Sequence, residues 1–262
     1  MNPRESPSRP FTAPDRPTPA TPVRAVAEGP GTKILPLAAL TTAEIIAVYD
    51  DLLRPSFRRE ELPSIGDVLR VYAGDHPAPS GVLLRDGRPL GIHLCETYVD
   101  GQVLMLSHLA VASSARGGGI GSQLFDHLAG SMAEISPNAV LLAEIDDPRV
   151  WPGTPGTGDP VARLQFYGRH GARLLPMAFV QPQLQPGAGR VAGMFLIRLD
   201  RHAHPAPDLL ARFLTEYYSV YEGPGSLDDP VLRTLLDAAE GVDLDRDLLP
   251  IEDWEQLPRA IG

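Results

Sequence analysis

The sequence predicts a mixed α/β domain with a largely antiparallel sheet, preceded by an unstructured tail and followed by a helical extension. Three observations predict it. Apolar runs separated by Asp86-Gly87 and Asp100-Gly101 mark an antiparallel meander, because glycine accepts the positive φ that tight hairpins need. The pattern then changes to helical period at Ile120, Leu124, Leu128 and Met132. A buried strand and a shorter helix come next, as in a crossover topology.

Residues 1–31 hold eight prolines and almost no paired apolar residues. Such a segment buries too little surface to offset its ordering entropy, so a disordered or extended tail is expected. Residues 33–37 fit a short strand. Residues 42–54 place Ile45, Ile46, Tyr49, Leu52 and Leu53 on one helical face, with Thr41 or Thr42 as cap. A charged break, PSFRREELPS, precedes a second helix over 64–73 with Ser64 as N-cap. Strands are expected at 81–85, 89–98 and 102–111, a helix at 119–135 and a buried strand at 139–145. A Pro/Gly-rich loop covers 148–159. A helix over 160–170 has Pro160 in its first turn and ends at Gly171. Strands at 172–181 and 190–199 complete the domain, taken as residues 32–200.

Residues 201–262 form an acidic helical extension. Leu209, Leu210, Phe213, Leu214, Tyr217, Tyr218 and Tyr221 make one stripe, and Leu232, Leu235, Leu236 and Ala239 a second. The stripe suits completion of the core, a lid over a substrate site, or a homodimer contact. Residues 202–262 carry thirteen acidic and four basic residues, nearly all of the chain's net charge of −10.

That acidity makes nucleic acid and anionic membrane surfaces poor partners. The single cysteine, Cys95, excludes an internal disulfide framework and a zinc site of several thiolates. No apolar run is long enough to span a bilayer, and the N-terminus has no apolar signal region, so a cytoplasmic protein is expected. Lys33 is the only lysine among 23 basic residues, which fits a GC-rich, bacterial genome.

The most informative stretch runs strand, short polar turn, then Arg116-Gly117-Gly118-Gly119-Ile120-Gly121-Ser122, then helix. Glycines let a backbone approach a ligand closely. The free N–H groups at a helix start favour an anion, and Arg116 adds a forked donor. The chemistry suits a phosphate or pyrophosphate; the alternative is a plain flexible turn. A Walker loop fails because Ser122-Gln123 stands where Lys-Ser/Thr is needed. A dinucleotide fingerprint lacks its last glycine, and the strands before it are antiparallel.

The spacing Arg116-x-x-Gly119-x-Gly121, after a strand ending Leu109-Ala110-Val111, resembles the coenzyme A signature of the GNAT superfamily of acyl-CoA N-acyltransferases. Phe166-Tyr167-Gly168-Arg169-His170-Gly171 is similar to that family's later helix, where a tyrosine sits four residues before a terminal glycine. The element order over 33–199 also matches. Pro160 stands where the family often has Asn, and Ala172 where it often has an aromatic residue. The resemblance implies a GNAT-like fold in which two neighbouring strands splay. The pantetheine of an acyl-CoA would pair with the backbone of Leu109, Ala110 and Val111. Its pyrophosphate would sit on the N–H groups of Gly117, Gly118, Gly119, Ile120, Gly121 and Ser122.

Acyl transfer to an amine needs a neutral amine, a donor for the developing oxyanion and a proton for the leaving thiolate. By family position Tyr167 is the candidate acid; a core tyrosine is the alternative. Glu144, near the end of the strand AVLLAEI, is the candidate base, since apolar surroundings would raise its pKa; a surface carboxylate is the alternative. Glu96 is second choice and a candidate substrate contact. His108 reads mainly as a packed core residue. Phe57 and Glu61, with Arg58 and Glu60, lie where such folds shape an acceptor pocket; the alternative is a solvated charge run. The resulting expectation is an N-acyltransferase moving an acetyl or other short acyl group from acyl-CoA, without a metal, to a primary amine of a small molecule or peptide. The competing expectations are a non-catalytic acyl-CoA sensor and an enzyme using a carrier-protein-bound acyl donor.

Overall fold

The computed structural model describes residues 31–72, 78–200 and 202–259. The tail expected over 1–31 lies outside the described residues, except for Gly31.

Strand β1 (Thr32–Pro36) leads to helix α1 (Thr42–Val48). Thr41 is its cap. The Glu44 N–H donates to the Thr41 hydroxyl at 3.3 Å, and the Glu44 carboxylate accepts the Thr41 N–H at 2.8 Å. The helix continues as a π turn, Tyr49–Leu53, which buries Tyr49, Leu52 and Leu53 together. Helix α2 (Ile65–Asp67) starts on Ser64, whose hydroxyl accepts the Asp67 N–H at 3.1 Å, and continues as a π turn, Val68–Tyr72. Both expected helices are therefore an α start followed by a wider turn.

Strands β2 (Gly81–Arg85), β3 (Arg88–Tyr98) and β4 (Val103–Val111) form the meander. Asp86 and Gly87 turn the first hairpin at φ 51° and 77°. The second turn involves three left-handed residues, Val99, Asp100 and Gly101 (φ 55°, 52° and 80°). Val99 is β-branched and unfavourable there. A 2.6 Å hydrogen bond from its N–H to the Glu216 carboxylate helps hold it.

Helix α3 (Ile120–Ile135), strand β5 (Val140–Asp146) and helix α4 (Pro160–Arg169) make the crossover. Asp159 caps α4, and left-handed Gly171 follows it. The strand expected over 172–181 is two pieces, β6 (Arg173–Leu174) and β7 (Phe179–Gln181), both paired with β8 (Val191–Arg198). Pro176 lies in the break and has no N–H to offer a ladder.

Helices α5 (Leu209–Glu222) and α6 (Pro230–Ala239) and strand β9 (Leu249–Pro250) follow. The sheet order is β1-β2-β3-β4-β5-β8-β6-β9, with β7 also on β8. Among these pairings β4–β5 is parallel and the rest are antiparallel.

Helices α3 and α4 cover one face of the sheet, packing Leu128 and Leu164 on Leu104, Leu106, Leu141 and Ala143. The first helical segments cover half of the other face, around Val82, Ile92 and Leu94. Helices α5 and α6 cover the remainder, where Phe213, Leu214, Tyr217 and Tyr218 meet Met105, Leu142 and Leu196. At about 1.5–3 kcal/mol per large buried apolar side chain, this stripe is integral to the fold's stability. Buried Arg198 fastens the segment: it donates to the carbonyls of Leu244 (2.7 Å) and Ala203 (2.6 Å) and pairs with Asp200 and Asp245.

Candidate active site

The site begins with one extra residue. Leu94 of β3 lies opposite His108, and Cys95 opposite Leu106, so Ser107 is a β-bulge in β4. A bulge bends its strand and shifts the alternation of faces. The parallel pairing of β4 with β5 ends at the same place, at Leu106 opposite Ala143. Beyond it the two strands separate, and Ser107 and Glu144 are the first residues of the two arms.

On the α3/α4 side a cleft of about 440 Å³ runs along the β4 arm of this split. Leu109, Ala110 and Val111 line it from β4. Arg116, Gly117, Gly119, Ile120, Gly121 and Ser122 line it from the turn, whereas Gly118 does not. Gly119 is left-handed (φ 78°) and caps α3. The first helical hydrogen bond, Gln123 N–H to Gly119 carbonyl at 3.1 Å, comes after Ile120, Gly121 and Ser122. Their N–H groups thus remain unspent at the positive end of a 16-residue helix, which is an anion cradle. A Cβ on Gly121 would meet the Phe166 ring at 3.4 Å, ordinary van der Waals contact, so α4 packs closely on the start of α3 here.

Arg116 plays a different part from the one its charge suggests. It donates to the Gly156 carbonyl (2.7 Å) and the Val111 carbonyl (3.3 Å), tying the turn to the 148–159 loop. Arg163 and Arg169 of α4 also line the cleft, and Arg169 has no ion-pair partner among the described residues. Phe57 closes the front.

Tyr167 is buried behind this wall at 6% exposure; its neighbour Phe166, not Tyr167 itself, lines the cleft. It packs edge-on against Phe166 and Phe125. Burial pushes its phenol up to about 12, so it is protonated at neutral pH. Among the described residues its hydroxyl has no hydrogen-bond partner.

The opposite side of the split is acidic. The Glu144 carboxylate accepts from the Gln181 amide (2.5 Å) and lies near the Tyr217 hydroxyl, which favours its charged form. Burial pushes its pKa up to about 8, and the nearby Glu96 and Glu61 carboxylates add to the shift. Glu96, 6% exposed, accepts from the hydroxyls of Tyr98 (3.0 Å), Ser107 (2.9 Å) and Tyr221 (2.6 Å). Glu61 pairs with Arg58 at 2.5 Å. Its pKa is raised to about 7, chiefly by burial and then by Asp146, against the pull of Arg58. Asp146 bridges Arg58 (2.8 Å) and Arg163 (2.9 Å), joining the two sides through the gap. Trp151 lies 3.8 Å from the Arg58 guanidinium. His108 is buried, and burial lowers its pKa, so it is neutral; its Nε2 meets the Glu61 carbonyl at 2.8 Å.

The structure thus gathers the glycine turn and Leu109–Val111 at one cleft, and Glu61, Glu96 and Glu144 in one cluster across the sheet. Arg163, Phe166 and Arg169 were not among the expected site residues, although their three-residue spacing on one helix was a usable signal. Gln181, Tyr217 and Tyr221 were also missed as site residues. Among the described residues no cluster of three or more His, Cys, Asp or Glu could hold a metal, and no helix is long and apolar enough to cross a membrane.

Residues 46–148 match the family model of the acetyltransferase (GNAT) family. No curated protein matches the chain. Among solved structures, the chain is similar to one described as a GNAT-family acetyltransferase from Bacteroides thetaiotaomicron (20% identity, TM-score 0.49, 68% of this chain and 90% of that one). It is also similar to the ribosomal-protein-S18-alanine N-acetyltransferase from Escherichia coli (16% identity, TM-score 0.45, 68% and 98%). A third is Arabidopsis thaliana Naa50, in complex with a bisubstrate analogue (11% identity, TM-score 0.44, 65% and 99%).

Proposed function

We propose, from the premise that residues 46–148 form a GNAT acetyltransferase domain and the chain is an acyltransferase of that type, that it transfers a short acyl group from acyl-CoA to a primary amine. The observation that carries this reading is the split between β4 and β5, with unspent helix-start amides on one side and a high-pKa carboxylate on the other.

The residues present fit the donor. The N–H groups of Ile120, Gly121 and Ser122 would hold the pyrophosphate. The β4 backbone at Leu109, Ala110 and Val111 has no β5 partner and would receive the pantetheine arm. Bound there, acyl-CoA supplies a thioester activated toward attack. Glu144 takes the proton of the attacking amine, and its raised pKa suits that task near neutral pH. Tyr167 gives its proton to the leaving thiolate; its unpaired hydroxyl and Arg163, which lowers the phenol's pKa, support the assignment. Glu61, Glu96 and Phe57 shape the acceptor side. The 32–200 domain is proposed to carry this work, with the 201–262 extension closing the acceptor side.

The test is release of free thiol from acetyl-CoA across a panel of amines, with acetyl-CoA affinity measured alongside. Release that depends on both an amine and Tyr167 supports the reading. Tight acetyl-CoA binding without release for any amine overturns it in favour of a sensor.

A further inference from the structure

Strands β5 and β7 both pair with β8, and this brings Glu144 and Gln181 together. The Gln181 amide N–H donates to Oε2 of Glu144 at 2.5 Å. That bond uses one end of each planar group. The other ends, Oε1 of Glu144 and the Gln181 carbonyl oxygen, are shielded from water, and neither has a hydrogen-bond partner. With Glu144 ionised both are acceptors, and a buried acceptor without a donor is costly.

A single proton satisfies both. Placed on Oε1 of Glu144, it turns that atom into a donor, and the amide carbonyl beside it is an acceptor. A carboxylic acid and a primary amide then close a ring of two hydrogen bonds, N–H to Oε2 and O–H to the amide oxygen. The surroundings are consistent with such a proton. Burial acts most strongly on Glu144 and favours its neutral form, as do the carboxylates of Glu96 on β3 and Glu61 in the 59–61 turn. The Gln181 N–H and the Tyr217 hydroxyl of α5 pull the other way, and no cation is among the groups acting on Glu144.

We infer that Gln181 is a positioning residue for Glu144: its amide closes a ring with the carboxyl, keeps the resting proton on Oε1, and so makes Oε1 the reacting oxygen. Oε1 first gives its proton to solvent. It then takes the amine's proton as the nitrogen bonds to the thioester carbon, while the N–H bond to Oε2 is kept throughout. The role in turnover rests on the acyl-transfer reading, but the ring can be observed without turnover.

The experiment is infrared difference spectroscopy of the full chain between pH 6 and pH 10. Glu144→Gln identifies the carbonyl band of the protonated Glu144 carboxyl by its loss. In wild type this band is expected at pH 6, at the lowered frequency of a hydrogen-bonded acid, and to vanish with a midpoint near 8. In Gln181→Met the band is expected at pH 6 but at higher frequency, because both ring bonds are gone; a merely structural role for Gln181 would not move it. Gln181→Glu keeps the shape and sets a second carboxyl beside the first, so the pair's last proton is expected to leave about one pH unit or more higher. No such band in wild type, a frequency unchanged in Gln181→Met, or a midpoint unchanged in Gln181→Glu would overturn the inference. Amine-dependent thiol release is measured on the same samples; the ring without release would overturn acyl transfer and leave the ring standing.

Discussion

On the α3/α4 side of the split, the proposed binding surface is made by main-chain amides of one continuous turn. On the α5 side it is made by side chains from β3, β4, β5, β7 and α5, brought together by folding. The first arrangement depends on backbone conformation and tolerates varied side chains around it. The second depends on burial, which raises the Glu144 pKa so that it holds its proton at neutral pH. In the proposed function one side holds a constant handle and the other a particular acceptor.

The sharpest way to separate the two sides is to remove a proton donor without touching either binding surface. Tyr167→Phe is expected to lower kcat about a thousandfold, within the range for a lost general acid, while acetyl-CoA affinity stays near wild type. Steady-state kinetics with a direct Kd measurement checks it. A parallel fall in affinity would show that Tyr167 supports the donor wall instead.

Glu144→Gln is expected to lower kcat about a hundredfold and to flatten its pH profile. With a pKa near 8, wild-type kcat should rise with pH between about 7 and 9 as Glu144 loses its proton. The stability sign runs the other way. The folded state holds this proton more tightly than the unfolded chain does, so stability is lost as pH rises from the ordinary carboxylate range through about 8. Denaturant melts at pH 9 should find the Gln variant more stable, relative to wild type, than at pH 5.

Gly119→Ala tests the donor side by backbone alone. Nothing lies closer than 4.0 Å to an added Cβ, so the effect comes from φ +78°. A cost of about 1–2 kcal/mol is expected, read as a weaker acetyl-CoA affinity or a lower denaturation midpoint. Thr41→Ala, remote from both sides, should cost about 1 kcal/mol of stability through its lost cap and leave both binding constants unchanged.

Much of the donor side could be read along the chain because its determinants are consecutive. The glycines, the helix period after them and the Asp-Gly turn at 86–87 are local patterns with local causes. The second turn was harder: Val99 adopts a conformation that its side chain disfavours, and the Glu216 contact that helps hold it is 117 residues away. The break at 175–178 had a local signal in Pro176 that apolar patterning overrode. The acceptor side was read only as single carboxylates, Glu61, Glu96 and Glu144, because nothing in a one-dimensional pattern shows which side chains will share a buried volume.

By itself the sequence determined the helical and strand periods and the glycine turn that opens α3, since these arise from neighbouring residues and their own φ/ψ preferences. Only the tertiary structure decided that Ser107 would bulge, that β4 and β5 would part beside it, and that tyrosines of α5 would meet carboxylates of two strands. Those outcomes depend on strand pairing and desolvation, which exist only once distant segments pack.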